Sequence, residues 1–214
     1  MSADRKTIKL KKVENLQEML QNISNDNYQI IEIKNFLTDS ECDELVEFAN
    51  QKKYQTSLTT AGLLESHRKS NQIWINDSEH HIVQKISDLS TTITGITQDH
   101  MEPLQMLRYG VGEYFYEHYD AYISENPLVS LDRIYTIIIY LNNGYKGGIT
   151  HFNKLNYNVK PEKGKAVIFK SLINAELPTL IDKSQHQGCE VYSGTKYICN
   201  KWIRIKTFNN PLVT

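Results

Sequence analysis

The sequence predicts an α+β domain, mainly β, in which a few helices precede a run of short strands. Three observations carry that expectation. Apolar residues recur at helical spacing in the first hundred positions, the period switches to 2 after His100, and the chain of 214 residues is 40% apolar, enough for one sizeable core. Helices followed by closely spaced strands suit a sandwich or barrel whose helices cover one outer face.

The elements follow in order. Residues 14–23 form a short helical candidate with polar flanks, packing on the outside of the core. Residues 29–34 alternate apolar and polar, as a strand does. Thr38-x-x-Glu41 is a capping-box pattern ahead of Cys42, Leu45, Phe48 and Ala49, whose spacing gives a helix one apolar stripe. Residues 54–71 are polar without a clean period and read as a long loop. Ser78 is placed to cap a helix carrying Ile82, Ile86, Leu89 and Ile93. Strands are expected near 104–109, 113–120, 133–142, 148–152, 165–170, 186–191 and 197–207. No repeat, low-complexity tract or linker divides the chain. The expected division is an N-terminal extension with a short helix, 1–28, and a single catalytic domain, 29–214.

Composition narrows the function classes. A net charge of −1 offers no basic footprint for nucleic acid or an anionic membrane. No apolar run approaches the roughly 20 residues of a membrane span, and residues 1–13 lack the apolar stretch of a secretory signal. Cys42, Cys189 and Cys199 are an odd count without close pairing, which fits a reducing compartment. A cytoplasmic location is therefore expected.

The chemistry concentrates in His118-Tyr119-Asp120 and, far downstream, His186. Two apart on an extended segment, His118 and Asp120 point to one face. A third ligand from a distant strand closes a facial triad of two imidazoles and one carboxylate, the set of non-haem Fe(II) oxygenases. Zinc or another divalent ion also suits such a site, because the affinity order does not favour iron. Alone, the H-x-D pair is a weak signal; the text on both sides strengthens it.

Tyr109-Gly110-Val111-Gly112 before His118-Tyr119-Asp120, Arg133-Ile134-Tyr135-Thr136 leading into Tyr140-Leu141-Asn142, and Gly147-Gly148-Ile149-Thr150-His151-Phe152 are ordered motifs. Lys160-Pro161-Glu162-Lys163-Gly164-Lys165, His186-Gln187-Gly188-Cys189, Gly194-Thr195-Lys196 and Asn200-Lys201-Trp202-Ile203-Arg204 continue the series. Together they resemble the prolyl 4-hydroxylase family of 2-oxoglutarate/Fe(II) dioxygenases. With Phe36–Cys42 and Arg68-Lys69-Ser70, the likeness spans roughly residues 29 to 207. It implies a double-stranded β-helix, or jelly roll, with Fe(II), 2-oxoglutarate and O2 as cofactors and ascorbate as reductant. It also implies a procollagen-proline 4-dioxygenase-like reaction on a proline in a peptide or protein, by a monomer or homodimer without nucleic-acid or membrane partners.

The resemblance implies metal ligands at His118, Asp120 and His186 and a basic cosubstrate anchor at Lys196. Thr136 and Tyr140, four apart on one strand and so on one face, look like hydroxyl partners of the cosubstrate. Tyr109 and Trp202 join the same pocket, Trp202 as its wall. Arg68, Ser70, Trp74 and Tyr122 look like the substrate side, with the 54–77 and 121–132 loops flanking a peptide groove. Two departures stand out: Phe115 replaces a tyrosine near the cosubstrate, and Ile149 replaces a glutamate, with His151 nearby. Alternatives are an oxygenase acting on a free amino acid or small metabolite, and a non-catalytic binding module that kept the fold.

Overall fold

The computed structural model describes residues 6–9, 14–24, 26–57, 67–123, 132–173 and 178–208. In chain order the elements are β1 (Lys6–Lys9), α1 (Glu14–Gln21), β2 (Ile31–Lys34), α2 (Asp39–Asn50), β3 (Gln55–Thr56), β4 (Arg68–Lys69), β5 (Asn71–Ile75) and α3 (His81–Thr94). The β-rich part continues with β6 (Leu104–Tyr109), β7 (Tyr114–His118), β8 (Arg133–Tyr140), β9 (Lys146–Gly147), β10 (Thr150–Phe152) and β11 (Tyr157–Val159). It ends with β12 (Ala166–Lys170), β13 (His186–Gly188), β14 (Val191–Ser193) and β15 (Lys196–Arg204).

Apart from the short β9–β14 pair, the strands form two facing sheets, the expected jelly roll. The larger has the order β1-β2-β12-β8-β15-β6-β5-β3 and the smaller β11-β10-β13-β7-β4. Their inner faces meet where Tyr140 Oη donates to Thr150 Oγ1 at 2.7 Å and the Phe152 and Phe169 rings meet edge-on at 5.1 Å. Buried on both faces, β8 and β12 need apolar residues throughout, hence the Ile137-Ile138-Ile139 and Ala166-Val167-Ile168-Phe169 runs. The outer face of the larger sheet carries Ile31, Ile33, Ile137, Ile139, Ile168 and Ile203, all fully buried in one apolar cluster with Leu16, Leu45 and Ile86 from the helices. Each such side chain stabilises by about 1.5–3 kcal/mol. That leaves the inner face for polar chemistry.

Thr38 caps α2 in the expected box, with its Oγ1 accepting from Glu41 N while Glu41 accepts from Thr38 N. The second cap differs from expectation. His80, not Ser78, caps α3, its Nδ1 accepting from Ile82 N at 3.3 Å, and Ser78 lies in a 3-10 turn. The expected 54–71 loop also contains strands: β3 and β4 pair with β5 and β7 at the sheet edges, while residues 58–66 lie outside the described part. Two-residue edge strands leave no period to read. The strand expected over 186–191 breaks into β13 and β14. No helix among the described residues is long and apolar enough to cross a membrane.

Candidate active site

β7 and β13 lie side by side in the smaller sheet, with His186 opposite His118 and a register shift between His186 and Gly188. This pairing joins ligands 68 residues apart. His118 Nε2 lies 3.6 Å from Asp120 Oδ1 and His186 Nε2 lies 3.8 Å from Asp120 Oδ2; one ligand atom from each residue falls within 4.8 Å of the others. The backbone orients both imidazoles. His118 Nδ1 hydrogen-bonds Tyr116 O at 2.7 Å and His186 Nδ1 bonds Ser184 O at 3.0 Å, so each Nε2 is left to face the centre as the free lone pair.

Charge state suits a cation. Burial, aided by His118, pushes His186 down to about 4, so it is a neutral ligand at pH 7. Burial alone would raise Asp120, but at acid pH, where the imidazoles are charged, His186 and His118, with Arg133, outweigh it and hold the carboxyl well below its usual range. A buried carboxylate ringed by two imidazole lone pairs fits a divalent metal. A second three-residue group among the described residues, Glu44, His80 and His81, lies on the helical side, and the cap that His80 makes fixes its Nε2 as the protonated nitrogen of the neutral ring.

Thr136, expected to meet the cosubstrate, donates its Oγ1 proton to Asp120 Oδ2 at 2.7 Å and so also orients a ligand. Thr136→Val should therefore weaken Fe(II) binding by about 10–100-fold, the usual cost of losing such an outer partner. Calorimetric titration of the apoprotein checks this. Phe115 stacks on His118 with ring centroids 3.5 Å apart and 12° between planes, so the phenyl ring packs a ligand from the side. His151 bonds Asn158 across the β10–β11 pair and stands outside the ligand group.

Lys196 shares the inner face of β15 with Trp202, which pairs with Thr136 across β8. Lys196 is 1% exposed, its Nζ sits 5.0 Å from the centroid of the Tyr109 ring, and no carboxylate of the described residues is within ion-pair reach. The rival cations are already paired, Lys201 with Asp77 at 3.0 Å and Arg204 with Asp132 at 2.5 Å. A side chain at Gly148, where φ is +60°, would strike Lys196 Cδ at 3.0 Å and Tyr145 Cε2 at 3.2 Å, so only the bare backbone leaves room for both side chains there. Tyr145 Oη is buried without a hydrogen-bond partner among the described residues. No sequence signal marked Tyr145, since an orphaned hydroxyl exists only in three dimensions.

Trp202 lies between the Arg133 guanidinium, 3.6 Å from its ring, and Trp74, 5.8 Å between centroids. Trp74 and Tyr122 are exposed at 41% and 58%, whereas Arg68 and Ser70 are buried and bonded to each other, Arg68 Nε donating to Ser70 Oγ at 3.1 Å. The proposed substrate residues thus divide into an exposed aromatic pair and a buried polar pair. Most of the 121–132 loop, residues 124–131, lies outside the described part.

The sequence model of the 2OG-Fe(II) oxygenase superfamily matches residues 104–204, the segment that carries all three ligands and Lys196. A putative prolyl 4-hydroxylase of Acanthamoeba polyphaga mimivirus is 32% identical over 183 residues, covering 83% of this chain and 74% of the relative. The chain belongs to the prolyl 4-hydroxylase family of 2-oxoglutarate/Fe(II) oxygenases. Prolyl 4-hydroxylase 2 of Arabidopsis thaliana is likewise 32% identical, over 203 residues, covering 83% of this oxygenase and 67% of the relative. A solved viral collagen prolyl hydroxylase from Paramecium bursaria Chlorella virus-1, in complex with 2OG, superposes with a TM-score of 0.69 at 30% identity, over 85% of this chain and 99% of its own. A Pseudomonas putida prolyl-4-hydroxylase at 16% identity shares the fold, with a TM-score of 0.63. The enzyme is a dioxygenase that depends on 2-oxoglutarate, and its cofactors are Fe(II), 2-oxoglutarate and O2.

Proposed function

We propose that this oxygenase hydroxylates C4 of a proline within a peptide or protein. The observation that carries the reading is the buried Lys196, without an ion-pair partner among the described residues, on the inner face of the larger sheet, which faces the smaller sheet that carries His118 and His186. His118, Asp120 and His186 would hold Fe(II), and Lys196 would pair with the distal carboxylate of 2-oxoglutarate. Tyr145 would donate its orphaned hydroxyl to that carboxylate, and Tyr140 and Tyr109 would line the same pocket. Iron with the 2-oxoacid and dioxygen supplies the oxidising power: the cosubstrate leaves as succinate and CO2, with one oxygen atom in succinate and the other in the new hydroxyl. The residues themselves bind, orient and keep water from the reacting carbon. Trp202, with Arg133 and Trp74 against it, forms the wall towards the substrate.

The test is mass spectrometry of a proline-rich peptide incubated with enzyme, Fe(II) and 2-oxoglutarate. Succinate release together with one added oxygen on proline is the expected result. Succinate release that only a free amino acid or small metabolite stimulates would favour that substrate class instead, and no turnover with any of these would favour a binding module. As part of the same proposal, ascorbate serves as the reductant, and the protein works in the cytoplasm as a monomer or homodimer without nucleic-acid or membrane partners. Free thiols at Cys42, Cys189 and Cys199 support the reducing compartment.

Tyr145→Phe should raise the KM for 2-oxoglutarate by about 2–12-fold, the worth of a net hydrogen bond of about 0.5–1.5 kcal/mol. Steady-state kinetics at saturating peptide check it. An unchanged KM would place the hydroxyl outside the cosubstrate's reach.

A further inference from the structure

Arg68 stands on β4 opposite Phe115 of β7, at the edge of the smaller sheet, and is only 7% exposed. Its guanidinium lies 4.5 Å over the Phe115 ring, and the same ring stacks on His118. Nε donates to Ser70 Oγ, but Nη2 is buried without a hydrogen-bond partner among the described residues. No carboxylate of the described residues comes within 4.0 Å of it. Arg68 and Ser70 both hydrogen-bond the Tyr109 hydroxyl, and Glu113, whose charge also acts on Tyr109, accepts from Gly110 N at 2.8 Å and from Asn71 Nδ2 at 3.4 Å.

A guanidinium stays charged when buried, unlike the ammonium of Lys196, so it cannot relieve burial by losing a proton. Buried charges are ordinarily paired. The loaded site makes the imbalance plain. Fe(II) and Lys196 together balance Asp120 and the dianionic cosubstrate, so the centre is neutral before Arg68 is counted. Arg68 then adds one positive charge, uncompensated among the described residues, one aromatic ring away from His118.

We infer that Arg68 is a carboxylate subsite for the substrate: it reads an acidic group close to the target proline. The inference rests on the proline-hydroxylation reading and adds a substrate class to it, an acidic peptide segment. The stack sets the reach. Arg68 is separated from His118 by one ring, at most about 8 Å through the two stacking distances. At roughly 3.3 Å per extended residue, the acid lies within about two or three residues of the reacting one. A free C-terminal carboxylate presents the same chemistry at the same distance.

The experiment uses the Fe(II) enzyme and a proline peptide in which Glu is scanned over three positions on each side, each paired with its Gln counterpart. A second arm compares a peptide ending just after proline as the acid and as the amide. Wild type should favour one acid over its amide by about 10–100-fold in kcat/KM, and the ratio should fall to about 1 in Arg68→Gln and persist in part in Arg68→Lys. The 2-oxoglutarate KM and uncoupled succinate release should stay near wild type. The arm that responds identifies the source, side chain or C-terminus. Equal turnover of every acid and amide pair by wild type would overturn the inference while leaving proline hydroxylation intact. Failure to hydroxylate any peptide would overturn both. A selectivity that survives in Arg68→Gln, or a raised cosubstrate KM, would also assign the guanidinium elsewhere.

Discussion

Asp120→Ala should abolish Fe(II) binding and turnover while the two sheets stay intact. The carboxylate is the one negative charge in the ligand group, and both imidazole Nε2 atoms lie within 3.8 Å of it. Losing even an outer partner of a metal ligand costs about 10–100-fold in affinity, so losing the ligand itself should exceed about 100-fold. The fold should survive, because the apolar cluster on the other face of the larger sheet does not use this residue. Calorimetry of the apoprotein reads the metal affinity, and circular dichroism reads the fold. Undiminished iron affinity in the variant would remove Asp120 from the ligand set.

Lys196→Ala should raise the KM for 2-oxoglutarate by about one to two orders of magnitude, from a charge-assisted bond worth about 1.5–3 kcal/mol. Iron affinity should change little. The same lysine sets a pH dependence. Burial pushes its ammonium down to about 8, partly offset by the nearby Cys189. Only the protonated form holds a carboxylate, so binding takes up a proton wherever the free enzyme has lost it. Cosubstrate affinity should be full below pH 8 and fall by about tenfold per unit above it, until the pKa of the bound form is reached. Titration of 2-oxoglutarate into the apoprotein between about pH 6.5 and 9.5 reads this directly. In Lys196→Ala the pH step should vanish along with most of the affinity. A step that persists would belong to another group.

Local pattern accounts for what could be read in the chain. The spacing of His118 and Asp120, the Thr38–Glu41 box and the period change after His100 each act over a few residues, where backbone geometry alone decides which side chains share a face. Motif order added His186 and Lys196. The pairing of β7 with β13 was not local, and it is what places His118 opposite His186. Thr136 illustrates the limit: its face was legible, but only the approach of Asp120 decided that its hydroxyl would serve the metal ligand. His80 took the cap expected of Ser78 because a 3-10 turn precedes α3, and two-residue strands such as β4 carry no period at all.

The sequence by itself determined the reaction class through its resemblance to a known family, carried by the ordered motifs around His118, Asp120, His186 and Lys196 and not by the spacing of the ligands alone. Only the tertiary structure decided which polar atoms lost water and found no partner. Tyr145 carried no signal in the chain and Arg68 was marked only by resemblance as a substrate-side residue, yet the closing of two sheets buried a hydroxyl of the one and a guanidinium nitrogen of the other without a hydrogen-bond partner among the described residues. Burial is a consequence of what arrives from distant strands, so it cannot be read from the residues alongside.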